Sequence, residues 1–437
     1  MSVATGGASL SHAQEAAPAP LAAPRGIMAL PLLAPFQVRS FRFQYPADLL
    51  TSWGFEMENV ILGWYILVAT GSVVWLTAFA SIQYLGTLLA PVIGMAGDRV
   101  GHRQVLCAMR VCYALLAATL MTFGLSGRLS PTPVFVVAAC SGLIRSSDLA
   151  MRNALVAETM PIDRFTAAMG ASRTTSDSAR IVGSLAGAGL FALLGLGFAY
   201  AAITVFYLCG FLLTLRVGGR RQRMVRATDT SLWRDLLEGL NYVWDTPGSL
   251  AAMWLAFLVN LTAFPLTSGL LPFVAREIYH INQTGLGSLV ACFATGALLG
   301  SIVVSLGNRL VRPARMMIIA ALVWYAMLAV FVWMPGPLSG GTMLVLAGFA
   351  QSLSMVPMAV MLLHSAGPRF RGRVMGVRMF AIYGLPLGLL PAGALINGMG
   401  FVPTISLYCL IGVLATLAIA RRWRAHLWPL LAPANNH

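Results

Sequence analysis

The chain has 437 residues, 58% of them hydrophobic and 10% charged, with a mean hydropathy of +0.79. Soluble globular chains carry about 25% charged residues, so this one cannot clothe a water-facing surface of ordinary polarity, and lipid must face most of it. A net charge of +15 would point to nucleic acid in a soluble protein. Here the basic residues are all Arg and fall in short loops between apolar runs, so the charge reports orientation in a membrane and excludes a polyanionic partner.

Residues 1–40 are rich in Ala and Pro and lack a basic start followed by an unbroken apolar core, which predicts a disordered cytoplasmic tail and no signal peptide. Apolar runs long enough to cross a bilayer, about 20 residues each, follow at 44–69, 71–97, 104–125, 133–157, 165–195 and 197–217. The first is the least apolar, because Asp48, Glu56 and Glu58 interrupt it. A polar connection at 218–247 opens Gly218-Gly219-Arg220-Arg221 and then turns helical, with Leu232, Leu236, Leu240 and Val243 on one face and Trp233, Leu237 and Trp244 beside it. That predicts an amphipathic helix along the membrane surface. Further runs lie at 248–275, 285–306, 314–335, 342–364, 374–397 and 402–420, and residues 425–437 form a second tail. The fold class is all-α: twelve membrane helices, as bundles at 41–217 and 248–424.

Placing the N-terminus inside puts Arg99, Arg103, Arg164, the 216–234 cluster, Arg309, Arg312, Arg315, Arg369, Arg371, Arg373, Arg421, Arg422 and Arg424 in inside loops. Outside loops then hold only Arg128 and Arg276. This asymmetry predicts that both termini are cytoplasmic. The cysteines Cys107, Cys112, Cys140, Cys209, Cys292 and Cys409 lie inside apolar runs without metal-ligand spacing, so reduced buried thiols are expected, with no metal or cofactor.

The loop after the second run reads Gly94-Met95-Ala96-Gly97-Asp98-Arg99-Val100-Gly101-His102-Arg103-Gln104-Val105-Leu106. Its glycines permit a tight turn and close helix approach, and an acid amid bases can form a breakable clasp. The stretch resembles the signature loop of the major facilitator superfamily, Gly-x-Leu-Ala-Asp-Arg-x-Gly-Arg-Lys-x-x-Leu. Gly94, Asp98, Arg99, Gly101 and Leu106 match, Arg103 is conservative, Ala96 and Gly97 stand for Leu and Ala, and His102 replaces the first base. A degraded copy, Gly307-Asn308-Arg309-Leu310-Val311-Arg312, lies in the matching place of the second half.

Three other stretches look like the branch holding enterobactin-type siderophore exporters and macrolide efflux proteins: Arg152-Asn153-Ala154-Leu155-Val156-Ala157-Glu158-Thr159-Met160-Pro161, Ala179-Arg180-Ile181-Val182-Gly183-Ser184 and Arg371-Gly372-Arg373-Val374-Met375-Gly376. Ser184 stands where that branch commonly has Pro. The resemblance implies two pseudo-symmetric six-helix bundles and alternating access in a bacterial inner membrane. It also implies that Asp98 faces the start of the eleventh helix near Arg371 and Gly372, with Arg99 or Arg103 reaching Glu158.

Charge inside a membrane is costly and pairs or faces a cavity. Asp48, Ser52, Glu56, Asn59 and Gly63 form one stripe on the first helix. Arg145, Asp148 and Arg152 share a face of the fourth, and Arg173, Asp177 and Arg180 a face of the fifth. With Glu58 these helices hold five acids and four bases, nearly balanced. Arg152 is expected level with Arg173, and Arg145 and Asp148 near Asp177, Arg180 and Glu56. Glu56, Asp48 and Asp177 are the favoured proton carriers, and a static salt-bridge network is the alternative. In the second half, Asn260, Gln351, Met355 and Met358 are candidates for a soft substrate lining, and Pro265 marks a broken seventh helix. The expected partners are a small-molecule substrate, protons as coupling ion and the lipid bilayer, with the chain acting as a monomeric exporter. An importer of the same fold and a membrane-embedded lipid enzyme are the rivals. Scattered His residues and the lack of a nucleotide loop argue against the enzyme.

Overall fold

The computed structural model describes residues 31–218, 232–306, 313–366 and 370–428. All the regular structure among them is helical. A 3-10 turn, Pro31–Gln37, leads into α1 (Arg39–Thr70). The second crossing is α2 (Val73–Ile82) and α3 (Ala90–Val100), bent by 47° across the 3-10 turn Leu85–Leu89. The helices α4 (His102–Leu125) and α5 (Pro131–Thr159) follow. Then α6 (Ile162–Leu215) runs for 54 residues, about 80 Å at 1.5 Å per residue, against a hydrocarbon core of about 30 Å. It doubles back at Gly195, whose φ of 78° and ψ of 176° leave the helical region at a place where only glycine is unstrained. One limb brings Gly187 against Met57 and the other brings Tyr207 against Gly54, so both limbs pack on the same part of α1.

The connector α7 (Leu232–Asp245) leads into the seventh crossing, α8 (Pro247–Thr262), the π turn Leu266–Leu270, α9 (Leu271–Phe273) and the π turn Val274–Ile278. There follow α10 (Gln283–Leu306), α11 (Pro313–Phe331) and α12 (Pro337–Ser365). The eleventh crossing is α13 (Arg371–Phe380), a 3-10 turn Ala381–Tyr383 and α14 (Gly384–Met399). The chain closes on α15 (Phe401–Arg422) and the short α16 (Arg424–Leu427). Counting the limbs of α6 separately and each broken crossing once, these elements make twelve crossings in two groups of six. On length and composition nine helices among the described residues qualify, or ten with the bent pair. The acids of α1 are what keep it below that threshold.

Each group has its own core. Met57, Ile61, Leu106, Tyr113, Leu155 and Tyr207 anchor the first; Leu255, Val259, Leu271, Trp324, Tyr325 and Met358 anchor the second. The outer surfaces are apolar, with Leu193, Leu306 and Leu338 exposed at 83%, 82% and 88%, as lipid contact requires. Between α10 and α12, hydrocarbon-facing helices gain nothing from expelling water, so close backbone contact holds them. Gly296 lies against the Val345 carbonyl, Gly348 against that of Phe293 and Gly300 against that of Phe349.

The structure departs from the sequence reading in two places. Residues 31–38 are ordered: Arg164 donates to the Ala34 carbonyl at 3.4 Å, and Phe36 and Val38 pack with Phe41 and Val156. The connector divides its apolar residues. Val243 is buried on the second bundle while Leu237, Leu240 and Trp244 point outward. Gly239 sits against Arg373, and Tyr242 stacks on Phe370 at 4.8 Å. The side chains of Leu232, Trp233 and Leu236, and the whole of the loop copy 307–312, lie outside the described residues.

Gly296→Ala places a methyl group on a backbone oxygen that cannot move freely. It is expected to destabilise the second bundle by about 1–3 kcal/mol, read as a lowered unfolding midpoint in detergent. Gly189→Ala, whose added carbon meets open space, is expected to leave the midpoint unchanged.

Candidate functional site

The buried charges of the first bundle converge on Asp48 of α1. Its carboxylate is ion-paired with Arg110 of α4, and the Arg152 Nε of α5 stands 3.7 Å away. Arg152 is also ion-paired with Asp148, one turn earlier on its own helix. Its Nη1 donates to Ser52 Oγ at 2.6 Å and to the Asp48 carbonyl at 3.1 Å. Arg110 is fully buried and donates to the Gly210 carbonyl of α6 at 3.1 Å. Gln44 closes the cluster by donating to the Arg152 carbonyl at 3.0 Å. Two acids and two bases so neutralise one another across α1, α4, α5 and α6, which is what burial of charge in a low dielectric demands.

A second group lies nearer mid-membrane. Arg145 Nη1 donates to Asn59 Oδ1 at 3.0 Å and Gln83 Oε1 at 3.3 Å, with its guanidinium 4.3 Å over the Phe55 ring. Glu56 and Glu58 are two residues apart and so project from opposite sides of α1. Glu56 faces the first limb of α6, where Gly183 lets the helices touch, and Arg180 Nε stands 4.0 Å away. The side chains of Arg180 and Glu56 are 45% and 21% exposed, so both reach open space. Glu58 faces the other limb and accepts a hydrogen bond from the Tyr207 phenol at 2.8 Å.

Proximity is what the sequence leads one to expect of these groups, and Arg145, Arg180 and Glu56 gather around Tyr84; the hydrogen bonds and ion pairs add that Arg145 engages Asn59 and Gln83 and Asp148 engages Arg152. Asp177 lies half-buried on α6, and the Arg173 side chain is outside the described residues. Arg110 was not among the sequence candidates at all. In the second bundle Asn260 donates to the Ala256 carbonyl of its own helix at 2.8 Å, and Met355 is partly buried. Gln351 is buried at 8%. Met358 is fully buried in the core, so it is packing and not lining.

At the end of the molecule rich in Arg, Gly101, at φ 109°, turns α3 into α4. His102 Nδ1 meets Glu158 Oε1 at 2.5 Å, and its Nε2 stands 3.5 Å from Asp98, whose side chain is 66% exposed. Arg103 donates to the Leu215 carbonyl at 2.5 Å, and Arg99 is exposed. The partner of Glu158 is therefore His102, not Arg99 or Arg103: the loop turns its imidazole to Glu158, sends Arg103 to the end of α6 and leaves Arg99 exposed. Among the described residues Asp98 has no contact with the second bundle, and added carbons on Gly94 and Gly372 would meet open space. The Arg371 side chain is outside the described residues. Contact between the bundles is made toward the opposite, Arg-poor end. Arg276 Nη1 donates to the Leu67 carbonyl at 2.7 Å, Gly393 packs on Thr77, and Gly287 packs on Ala188 and Ser184.

The sequence profile of the Major Facilitator Superfamily matches residues 45–391. The chain belongs to this superfamily. It is accordingly a membrane transporter and not an enzyme. No curated protein sequence matches the chain. Among solved structures, a bacterial homolog of the human lysosomal transporter Spinster, in an inward-facing and unoccupied conformation, aligns over 91% of this chain and 99% of its own at 14% identity and a TM-score of 0.70. A POT family transporter in complex with a thioalcohol-conjugated peptide aligns over 89% and 97% at 12% identity and 0.71. A human organic anion transporter aligns over 87% and 99% at 17% identity and 0.62. At these identities the likeness carries the fold alone.

Within this superfamily fold, Asp48 is the fixed anion on which the first bundle closes. Asp48→Asn leaves Arg110 buried without its counter-charge. The expected cost is about 3–5 kcal/mol, measured as lost folded yield and a lowered unfolding midpoint. Asp48→Asn with Arg110→Gln is expected to recover part of that loss.

Proposed function

We propose that this transporter is a proton-coupled exporter of a small amphipathic molecule, a siderophore or a drug, working by alternating access. The observation that carries the reading is the contrast between two carboxylates of α1. Asp48 is clamped by two guanidinium groups of neighbouring helices and is thereby tied into the fold. Glu58 instead takes its hydrogen bond from a phenol near the middle of the helix, with Arg145 acting on it from a distance while bonded to Asn59 and Gln83, an arrangement that suits exchange of a proton as its surroundings change. On this reading the proton is carried by Glu58, with Glu56 beside the half-exposed Arg180 as a second carrier. Asp48, Asp148, Arg110 and Arg152 become the static scaffold.

Arg145 and Arg180, with Asn59, Gln83 and Glu56 alongside, offer both signs of charge and hydrogen-bonding groups, which suits a hydroxyl-rich or anionic headed molecule with an apolar body. A proton moving down about 100 mV supplies roughly 2.3 kcal/mol, enough for about a fiftyfold gradient of a neutral substrate. Bundles joined at the Arg-poor end and apart at the signature loop fit a conformer that loads from the Arg-rich, cytoplasmic side. The exporter-like sequence stretches favour outward direction.

The test is substrate-driven proton movement in proteoliposomes with a panel of siderophores and cationic drugs. Wild type is expected to move protons opposite to substrate. Glu58→Gln is expected to exchange substrate across the membrane while moving no protons. Proton movement at the wild-type rate in Glu58→Gln would remove the carrier assignment, and co-directional flow would make the protein an importer.

A further inference from the structure

A cleft of about 420 Å³ opens at the Arg-rich end of the second bundle, where the end of α7, the start of α8 and α16 meet. Its walls include Trp244, Pro247, Leu250, Arg422, Trp423 and His426. The cations are held in place. Leu427 is buried and its N–H bonds to the Trp423 carbonyl at 3.0 Å, which fixes the turn carrying His426. The Arg422 guanidinium stands 5.7 Å over the Trp423 ring. Arg421 and Arg424 add positive charge just outside, and the acid adjoining the cleft in sequence is Asp245, exposed beside Trp244.

Three further features bear on what fits there. Both α8 and α15 have an end at this level, so the cleft lies where a bilayer has its headgroups, the depth that indole rings favour. Basic pockets between membrane helices on this side recognise acidic headgroups. Finally, Leu237, Leu240 and Trp244 make an outward apolar strip on α7 that leads away from the cleft.

We propose that this cleft binds an anionic glycerophospholipid. Arg422 and His426 take the phosphate, Trp244 and Trp423 flank the glycerol, and an acyl chain follows the strip on α7. An inorganic phosphate would satisfy the two cations and leave the indoles and the strip without a role. Because α7 is also joined to α13 through the Arg373–Glu238 ion pair at 2.6 Å, an occupied cleft ties the connector, the start of the eleventh crossing and the last helix into one unit.

The experiment uses the purified full-length protein in detergent, with dioleoyl-phosphatidylglycerol, dioleoyl-phosphatidylcholine and inorganic phosphate as separate probes. Retained lipid is counted by native mass spectrometry, and stabilisation is read as the unfolding midpoint. Phosphatidylglycerol is expected to stay bound and raise the midpoint, while the other two probes do neither. Arg422→Gln with His426→Gln is expected to weaken phosphatidylglycerol retention by about tenfold or more, and Arg421→Gln to leave it unchanged. Trp244→Ala, at a side chain 65% exposed and so safe for folding, is expected to reduce it as well. An equal shift with inorganic phosphate would make this a simple anion site. Equal retention of phosphatidylcholine, or undiminished phosphatidylglycerol in both Arg422→Gln/His426→Gln and Trp244→Ala, would overturn the assignment.

Discussion

Burying the Arg110 guanidinium is the constraint around which the first bundle is organised. A lone guanidinium in hydrocarbon is costly, and this one is withdrawn entirely from the surface. It is tolerable only because Asp48 supplies its counter-charge and the Gly210 carbonyl takes a second donor. Those partners lie on α1 and the second limb of α6, so satisfying one side chain of α4 fixes three helices. Arg152 then shares Asp48 and brings in α5 through Asp148. The cluster is electrically balanced, two acids against two bases.

The second bundle is held by a different physics. Its described interior carries no comparable ion-pair cluster. Its helices meet through glycines pressed on backbone carbonyls and through a large aromatic core around Trp324 and Tyr325. One half is thus pinned by charge and the other packed by contact. The boundary between them at the Arg-poor end is again glycine against small side chains, with Arg276 capping the Leu67 carbonyl. Contacts of that kind separate without stranding a buried charge, which suits surfaces that must part and rejoin. The π turns around Pro265 and Pro272 leave the seventh crossing irregular beside this boundary, and π turns collect at functional places.

His102 alters the signature loop in a chemically meaningful way. A permanently charged base there would point to solvent and to headgroups. The imidazole instead turns inward between Glu158 and Asp98. The loop is thereby tied within its own bundle in this conformer, and Asp98 remains largely exposed.

By itself the sequence determined the membrane setting, the helical class, the twelve crossings and the superfamily, because apolar run length and Arg placement are local properties that a bilayer reads directly. It also identified most of the buried charges, since any ionisable residue in such a run stands out. Its count of five acids against four bases was one base short, and Arg110 supplies that base. Arg110 lies inside the apolar run 104–125 and was legible by the same rule. What only the tertiary structure decided is the pairing: that Asp48 takes Arg110 and Arg152, that Glu58 takes its hydrogen bond from Tyr207, and that Glu158 meets His102. Helix periodicity says which residues share a face but not which face of which neighbour it meets. Partner choice depends on the rotation and depth of each helix, and these are set by packing across the whole bundle.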